Sequence, residues 1–131
     1  MDLKKFKDFE SSLQRLEESY KKTVENIDSD LYKFFRDSTI QRFEFTVEIF
    51  WKLLKNVLKK NEGIECNSPK SCIREFFASG YINEDNAKLF MEMIDDRNMT
   101  SHTYHEEVAE IIFSKLKNYL DGMNLVYEKI Q

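Results

Sequence analysis

The sequence predicts an all-α protein, an antiparallel four- to five-helix up-and-down bundle. Three observations carry that expectation. Apolar residues recur at steps of three and four over long stretches, the spacing of one helix face. Only three Gly and one Pro are present, too few for the turns of an all-β fold. With 41% hydrophobic and 14% aromatic residues, the chain has material for a core and is excluded from the disordered class. Its 131 residues fit one domain, 1–131, large enough to bury a core without metal or disulfide staples.

A first helix is expected from about Asp2 to about Asn26, with Leu3, Phe6, Phe9, Leu13, Leu16, Tyr20, Val24 and Ile27 on one stripe. Asp28-Ser29-Asp30 breaks it and offers caps for the next helix. That second helix, from about Leu31 to about Lys60, carries Ile40, Phe43, Val47, Phe50, Leu54 and Val57, widened by Phe45, Ile49, Trp51, Leu53 and Leu58. So broad an apolar face predicts neighbours on two sides, the bundle core and a second subunit. A favourable i, i+4 pair is expected between Glu48 and Lys52, and a structural ion pair between Arg42 and Glu44. Ser68-Pro69 is a strong start for a short third helix closed by Gly80. Asn83 caps the fourth. The fifth begins near His105 or Glu106 and either continues past Gly122 or frays there.

Net charge is −4, which excludes a globally basic nucleic-acid binder but leaves room for a local basic cleft. Lys52, Lys55, Lys59 and Lys60 are the best candidates for such a patch, although a lysine run is usually a solvated face. Cys66 and Cys72 fit no zinc or redox spacing, and unpaired reduced thiols in a cytoplasmic protein are expected. The N-terminus does not read as a signal peptide, and no apolar run is long enough to span a membrane.

The clearest anomaly lies after the fourth helix's stripe of Ala87, Phe90, Met91 and Ile94. The same steps continue onto Arg97 or Asn98, then Ser101, so an apolar stripe turns polar in mid-stride. Burying an unpaired guanidinium is costly, so Arg97 either finds a carboxylate or lines a cleft or a subunit interface. His102 follows five residues later, about 140° round a regular helix. The two meet only if the helix ends near Thr100 or if two copies face each other. Asn98 could orient the imidazole if the helix persists to His102. Such a set suits metal-free cleavage of RNA. Histidine moves protons on a ribose 2′-OH or a leaving oxygen, and arginine holds the phosphate as its charge builds.

The string Arg97-Asn98-Met99-Thr100-Ser101-His102-Thr103-Tyr104 resembles the R-x4-H-x-Y motif of HEPN-domain proteins of the HepT kind. More closely, the chain resembles the nucleotidyltransferase substrate-binding proteins, a HEPN subfamily. Gln41-Arg42-Phe43-Glu44-Phe45-Thr46 with Glu48 and Trp51-Lys52, then Ser68-Pro69-Lys70, Gly80-Tyr81-Ile82 and Met93-Ile94-Asp95-Asp96, extend the likeness over roughly residues 30 to 120. The resemblance implies a homodimer with a composite cleft built from both motifs. It implies a minimal nucleotidyltransferase encoded nearby as partner and antitoxin. It also implies catalytic roles for Arg97, Asn98 and His102, and transfer of AMP units to Tyr104. No cofactor and no metal are implied.

His105 reads as a surface or N-cap residue of the fifth helix. One of Asp95 and Asp96 is expected to pair with Arg97 or Arg74, the other to be solvated. Trp51 reads as core or interface. Three functions compete: an RNase toxin of a two-gene module, a non-catalytic nucleotide- or substrate-binding subunit, and a structural adaptor.

Overall fold

The computed structural model describes residues 2–131. Its helices are α1 (Leu3–Glu25), α2 (Tyr32–Glu62), α3 (Pro69–Ala78), α4 (Glu84–Met99) and α5 (Glu106–Ile130), with a 3-10 turn over Thr100–His102. The boundaries follow local chemistry. The Asp2 side chain caps the first turn of α1, and Ser68 forms a reciprocal capping box with Ser71 at the start of α3, with Pro69 inside it. Gly63 closes α2 at φ 67°, a left-handed conformation that a residue with Cβ rarely adopts.

Contacts along the helices establish an up-and-down bundle. The Asp2 N–H donates to Asn56 Oδ1 (2.9 Å), while Thr23 and Thr39 share a hydroxyl contact (2.9 Å) at the other end, so α1 and α2 are antiparallel. Phe6 stacks on Tyr127 and Tyr20 packs on Phe113, so α1 and α5 are antiparallel too. Phe50 meets Phe90 across α2 and α4, and Phe43 stacks on Tyr119 across the parallel diagonal between α2 and α5. Short α3 packs against α2 and α4. One hydrophobic cluster joins these elements, with Phe9, Phe43, Phe50, Phe76 and Phe90 fully buried.

The apolar stripes outlast the bundle in places. Leu3, Val24 and Ile27 near the ends of α1 are exposed because no neighbour covers them, and so are Phe45 and Ile111. Helix α5 runs unbroken through Gly122. A Cβ there would lie 2.8 Å from Leu89 Cδ2 and 3.0 Å from Phe90 Cε1, so the glycine permits close approach to α4 rather than ending the helix.

The cysteines correct the sequence reading. The loop after Gly63 doubles back onto the first turn of α3, and Cys66 and Cys72 are joined as a buried disulfide with Cα atoms 5.2 Å apart. A pairing six residues apart depends on that return of the loop, which spacing alone does not reveal. The bond closes a short ring, so its chain-entropy contribution is only about 2 kcal/mol. Urea denaturation with and without dithiothreitol should show a cooperative transition in both cases, with stability lower by about that amount after reduction.

Two tyrosines tie the bundle to alkaline pH. Burial, with donation to Asp96, holds the Tyr119 hydroxyl far above the ordinary tyrosine range. Burial, with donation to Glu110 (2.8 Å), pushes Tyr32 up to about 12. Above about pH 10 the unfolded chain releases these protons while the fold retains them, so unfolding is favoured. Stability from these two groups is therefore complete below pH 10 and should fall as pH rises from about 10 through about 12. Denaturation midpoints across that range, followed with phenolate absorbance, check it. A midpoint independent of pH there would contradict the assignment.

Candidate functional site

The last turns of α4 are fixed by three consecutive residues pointing to three different helices. Asp96 is buried and accepts hydrogen bonds from the Tyr119 hydroxyl and from Lys115 Nζ on α5. Lys115 also lies 2.9 Å from Glu92, and these bonds raise its pKa, the one to Glu92 most. Asp95, one position back, pairs with Lys70 of α3 at 2.6 Å. Neither aspartate meets Arg97 or Arg74, contrary to the sequence expectation. Successive helical positions turn by about 100°, so once Asp96 faces α5, Asp95 faces α3 and Arg97 faces α2.

Arg97 does find carboxylates, but loosely. Its Nη1 lies 3.9 Å from Glu44 Oε2 and its Nε lies 3.7 Å from Glu48 Oε1, both beyond good hydrogen-bond distance. Nη1 donates to Thr100 Oγ1 at 3.3 Å, while Nε is buried without a hydrogen-bond partner. The charge is compensated, yet part of the guanidinium's donor capacity is unused, an arrangement able to receive a phosphate or carboxylate. Glu48 also accepts from Trp51 Nε1 (3.2 Å). The expected Glu48–Lys52 and Arg42–Glu44 pairs are not formed: Glu48 turns to the Trp51 indole and Arg97, and Arg42 and Glu44, two positions apart, lie on different faces of α2.

Helix α4 stops at Met99, and the 3-10 turn carries the chain onward. The inward positions are Arg97 and Thr100, the latter buried, whereas Asn98 and Ser101 are exposed. His102 is exposed at the end of the turn. The helix therefore breaks where the sequence required a break for Arg97 and His102 to approach. Within one chain, however, no hydrogen bond joins their side chains. No hydrogen bond joins Asn98 to the imidazole within the chain, since α4 ends at Met99, before His102. Tyr104 is 74% exposed, its ring 6.1 Å from that of His102 and 4.3 Å from that of His105. His105 occupies the N-cap position of α5, although its side chain makes no cap bond.

Arg36 is a supporting residue that the sequence reading passed over. It is 1% exposed. Its Nη1 donates to Glu106 (2.7 Å) and Glu110 (2.9 Å) on α5, and its Nε to Asp37 (3.1 Å). The bond to Glu106 holds Arg36 protonated, and the same bond lowers the Glu106 pKa. Arg36 thus fixes the chain immediately after the exposed segment 102–105. The signal was present: Arg36 lies on the stripe of Ile40, Phe43 and Val47, and Glu106 and Glu110 sit at i, i+4.

Among the described residues, no group of three His, Cys, Asp or Glu side chains converges as metal ligands would. Among the same residues, no helix is long and apolar enough to cross a membrane.

The family described as "Nucleotidyltransferase substrate binding protein like" matches residues 4–131. A Haemophilus influenzae protein named "Probable ribonuclease HepT" is 30% identical over 96 residues, which cover 70% of this chain but only 64% of that protein. A crystal structure of a Thermus thermophilus protein aligns with TM-score 0.85 at 37% identity, over 94% of this chain and 98% of that one. The fold is also that of the Shewanella oneidensis HEPN toxin, described as tri-AMPylated and in complex with MNT antitoxin. That alignment has TM-score 0.81 and 14% identity, covering 99% and 98% of the two chains. Matched over residues 4–131, the chain belongs to the family of nucleotidyltransferase substrate-binding-like proteins.

Proposed function

We propose that this chain is the RNase toxin of a two-gene HEPN/nucleotidyltransferase module, acting in the cytoplasm on RNA. The observation that carries the reading is the loosely paired Arg97 guanidinium, with an unpartnered Nε, five residues before an exposed His102 and seven before an exposed Tyr104. The relatives, one named a "Probable ribonuclease" and one described as a toxin in complex with its antitoxin, support it. In a reducing compartment Cys66 and Cys72 would stand as thiols, and two buried sulfurs suit that position as small apolar groups.

A dimer belongs to this reading. Phe34 is 73% and Phe45 56% exposed, and eleven positions of helix place them on nearly the same face of α2, Phe45 next in sequence to Glu44, which faces Arg97. Two copies joined there bring two Arg97–His102 sets to one cleft. One His102 takes the proton of the ribose 2′-OH as that oxygen attacks phosphorus. The other gives a proton to the departing 5′-oxygen, leaving a 2′,3′-cyclic phosphate and a free 5′-hydroxyl. Arg97 donates to the non-bridging oxygens, where charge builds. No step calls on a metal ion.

Tyr104 is the off-switch in this account. Its exposed hydroxyl attacks the α-phosphorus of ATP held by the partner nucleotidyltransferase, forming a tyrosyl-AMP phosphodiester and releasing pyrophosphate. Negative charge two residues from His102 then repels an RNA backbone and blocks the cleft.

A second reading, nucleotide binding without cleavage, is favoured by a groove of about 480 Å³ between α1 and α2, where Arg15, Arg42, Ser38 and Gln41 line a space beside Phe45. Its volume is that of a nucleotide-sized site. The two readings separate on expression without the partner. RNase toxicity should arrest growth, and purified protein should cleave RNA in EDTA. His102→Ala should lower cleavage by at least about a hundredfold and restore growth. A harmless wild-type chain that leaves RNA intact yet binds a nucleotide selects the second reading.

Tyr104→Phe should cleave RNA as the wild type does but escape neutralisation, so that the partner nucleotidyltransferase no longer rescues growth. Mass spectrometry should find AMP additions on the wild-type chain and none on the variant. Rescue that persists in Tyr104→Phe would show that the partner acts by another route.

A further inference from the structure

Beyond the motif, α2 carries a cationic hollow that no function assigned so far uses. Lys5 of α1 joins Lys52, Lys55 and Lys59 of α2 around Trp51 and Asn56, enclosing about 340 Å³. Lysines near a helix C-terminus are ordinarily explained by the helix dipole, and Lys59 and Lys60 in the last turn of α2 fit that explanation. Lys52 and Lys55 do not. They lie about two turns or more before Glu62, outside the dipole's reach. Among the described residues, Lys5, Lys52 and Lys55 have no carboxylate at ion-pair distance, and Lys59 has one only at 3.7 Å, Glu65. In a chain of net charge −4, four lysines gathered with one loose ion pair among them are a local exception.

The hollow is also connected to the motif. Lys52 Nζ lies 6.0 Å from the Trp51 ring centroid, and the Trp51 indole N–H donates to Glu48, which in turn faces Arg97. Lys59 and Glu48 are eleven positions apart, about 16 Å along the helix axis. Lysines at steps of three and four place one cation about every turn over that distance, with a half-buried aromatic ring beside them. Cations that track a backbone, with a ring on which any base can stack, are the elements of single-strand recognition without sequence preference.

We propose that this face of α2 is a single-stranded RNA track: Lys5, Lys52, Lys55 and Lys59 hold successive phosphates, and one base stacks on Trp51. The strand then runs along α2 toward Arg97 and His102. The inference takes RNA as the ligand from the proposed function, but binding and cleavage are separable by experiment.

Trp51 is the sole tryptophan of the chain, so its fluorescence reports on this face alone. The probe is a short oligouridylate, which forms no duplex, titrated into the His102→Ala protein so that the strand stays intact. Stacking should quench the emission. Four phosphate contacts should give a slope of log K against log salt of about −2.8, reduced to about −1.4 in Lys52→Gln/Lys55→Gln, with binding at low salt at least about tenfold weaker. Lys52 is exposed, Lys55 is half-buried, and neither has an ion-pair partner among the described residues, so the double variant should keep the parent's unfolding midpoint. Unchanged emission at saturation, or a double variant with the parent's affinity and slope, overturns the track. So does equal quenching by duplex RNA, whose paired bases are not free to stack. Growth arrest that depends on His102, without quenching, sinks the track and leaves cleavage standing. Quenching with the expected slopes, from a chain that leaves RNA intact, upholds the track while the cleavage reading falls.

Discussion

The contact between Asp96 and Tyr119 decides how the end of α4 is presented, and the candidate site depends on it. A carboxylate buried in a bundle needs donors, and Asp96 has two, the Tyr119 hydroxyl and the Lys115 ammonium. Satisfying it fixes the rotation of α4 against α5. Helical geometry then leaves no choice for its neighbours: Asp95 reaches Lys70 and Arg97 reaches across α2. The absence of a Cβ at Gly122 lets α4 and α5 come close enough for this to happen. A polar cluster in the core thereby positions a cation at the surface.

A second clamp acts from the far side of the exposed turn. Arg36 is surrounded by protein yet bonds carboxylates that are about half exposed, so its charge is compensated by groups still partly hydrated. Such a guanidinium fastens α5 to α2 just after the segment 102–105, while the Asp96 cluster fastens α4 to α5 just before it. Between them, His102 and Tyr104 project from a short turn held at both ends. The result is an exposed segment on rigid supports, the arrangement by which loops carry function.

The long helix α2 divides its surface among separate tasks because its positions turn by about 100° per residue. One face fills the core with Phe43, Val47 and Phe50. Another offers Glu44 and Glu48 to Arg97. The outer face exposes Phe34 and Phe45, and the C-terminal half gathers lysines around Trp51. The breadth of apolar residues on this helix, which in sequence suggested neighbours on two sides, is covered mostly within the bundle, where α1, α3, α4 and α5 all pack on α2 and bury Leu53 and Leu58; Phe45 stays exposed.

The sequence by itself determined the helices and most of their limits, because capping, glycine and proline chemistry act within a few residues of chain; the start of α2 is an exception, its N-cap being Leu31 rather than a residue of Asp28-Ser29-Asp30. It also marked the segment from Arg97 to Tyr104, because a guanidinium that interrupts an apolar stripe is visible as a break in period. It could not assign partners. Which glutamates meet Arg97, that neither adjacent aspartate does, that Arg36 is a buried clamp, and that Cys66 and Cys72 are bonded all depend on which helix lies opposite. That is settled only when the bundle packs and every buried charge must find its counterpart among residues distant in sequence. The lysine hollow belongs with these. Lys52, Lys55 and Lys59 were legible as a run, but Lys5 joins them only because α1 returns antiparallel beside α2.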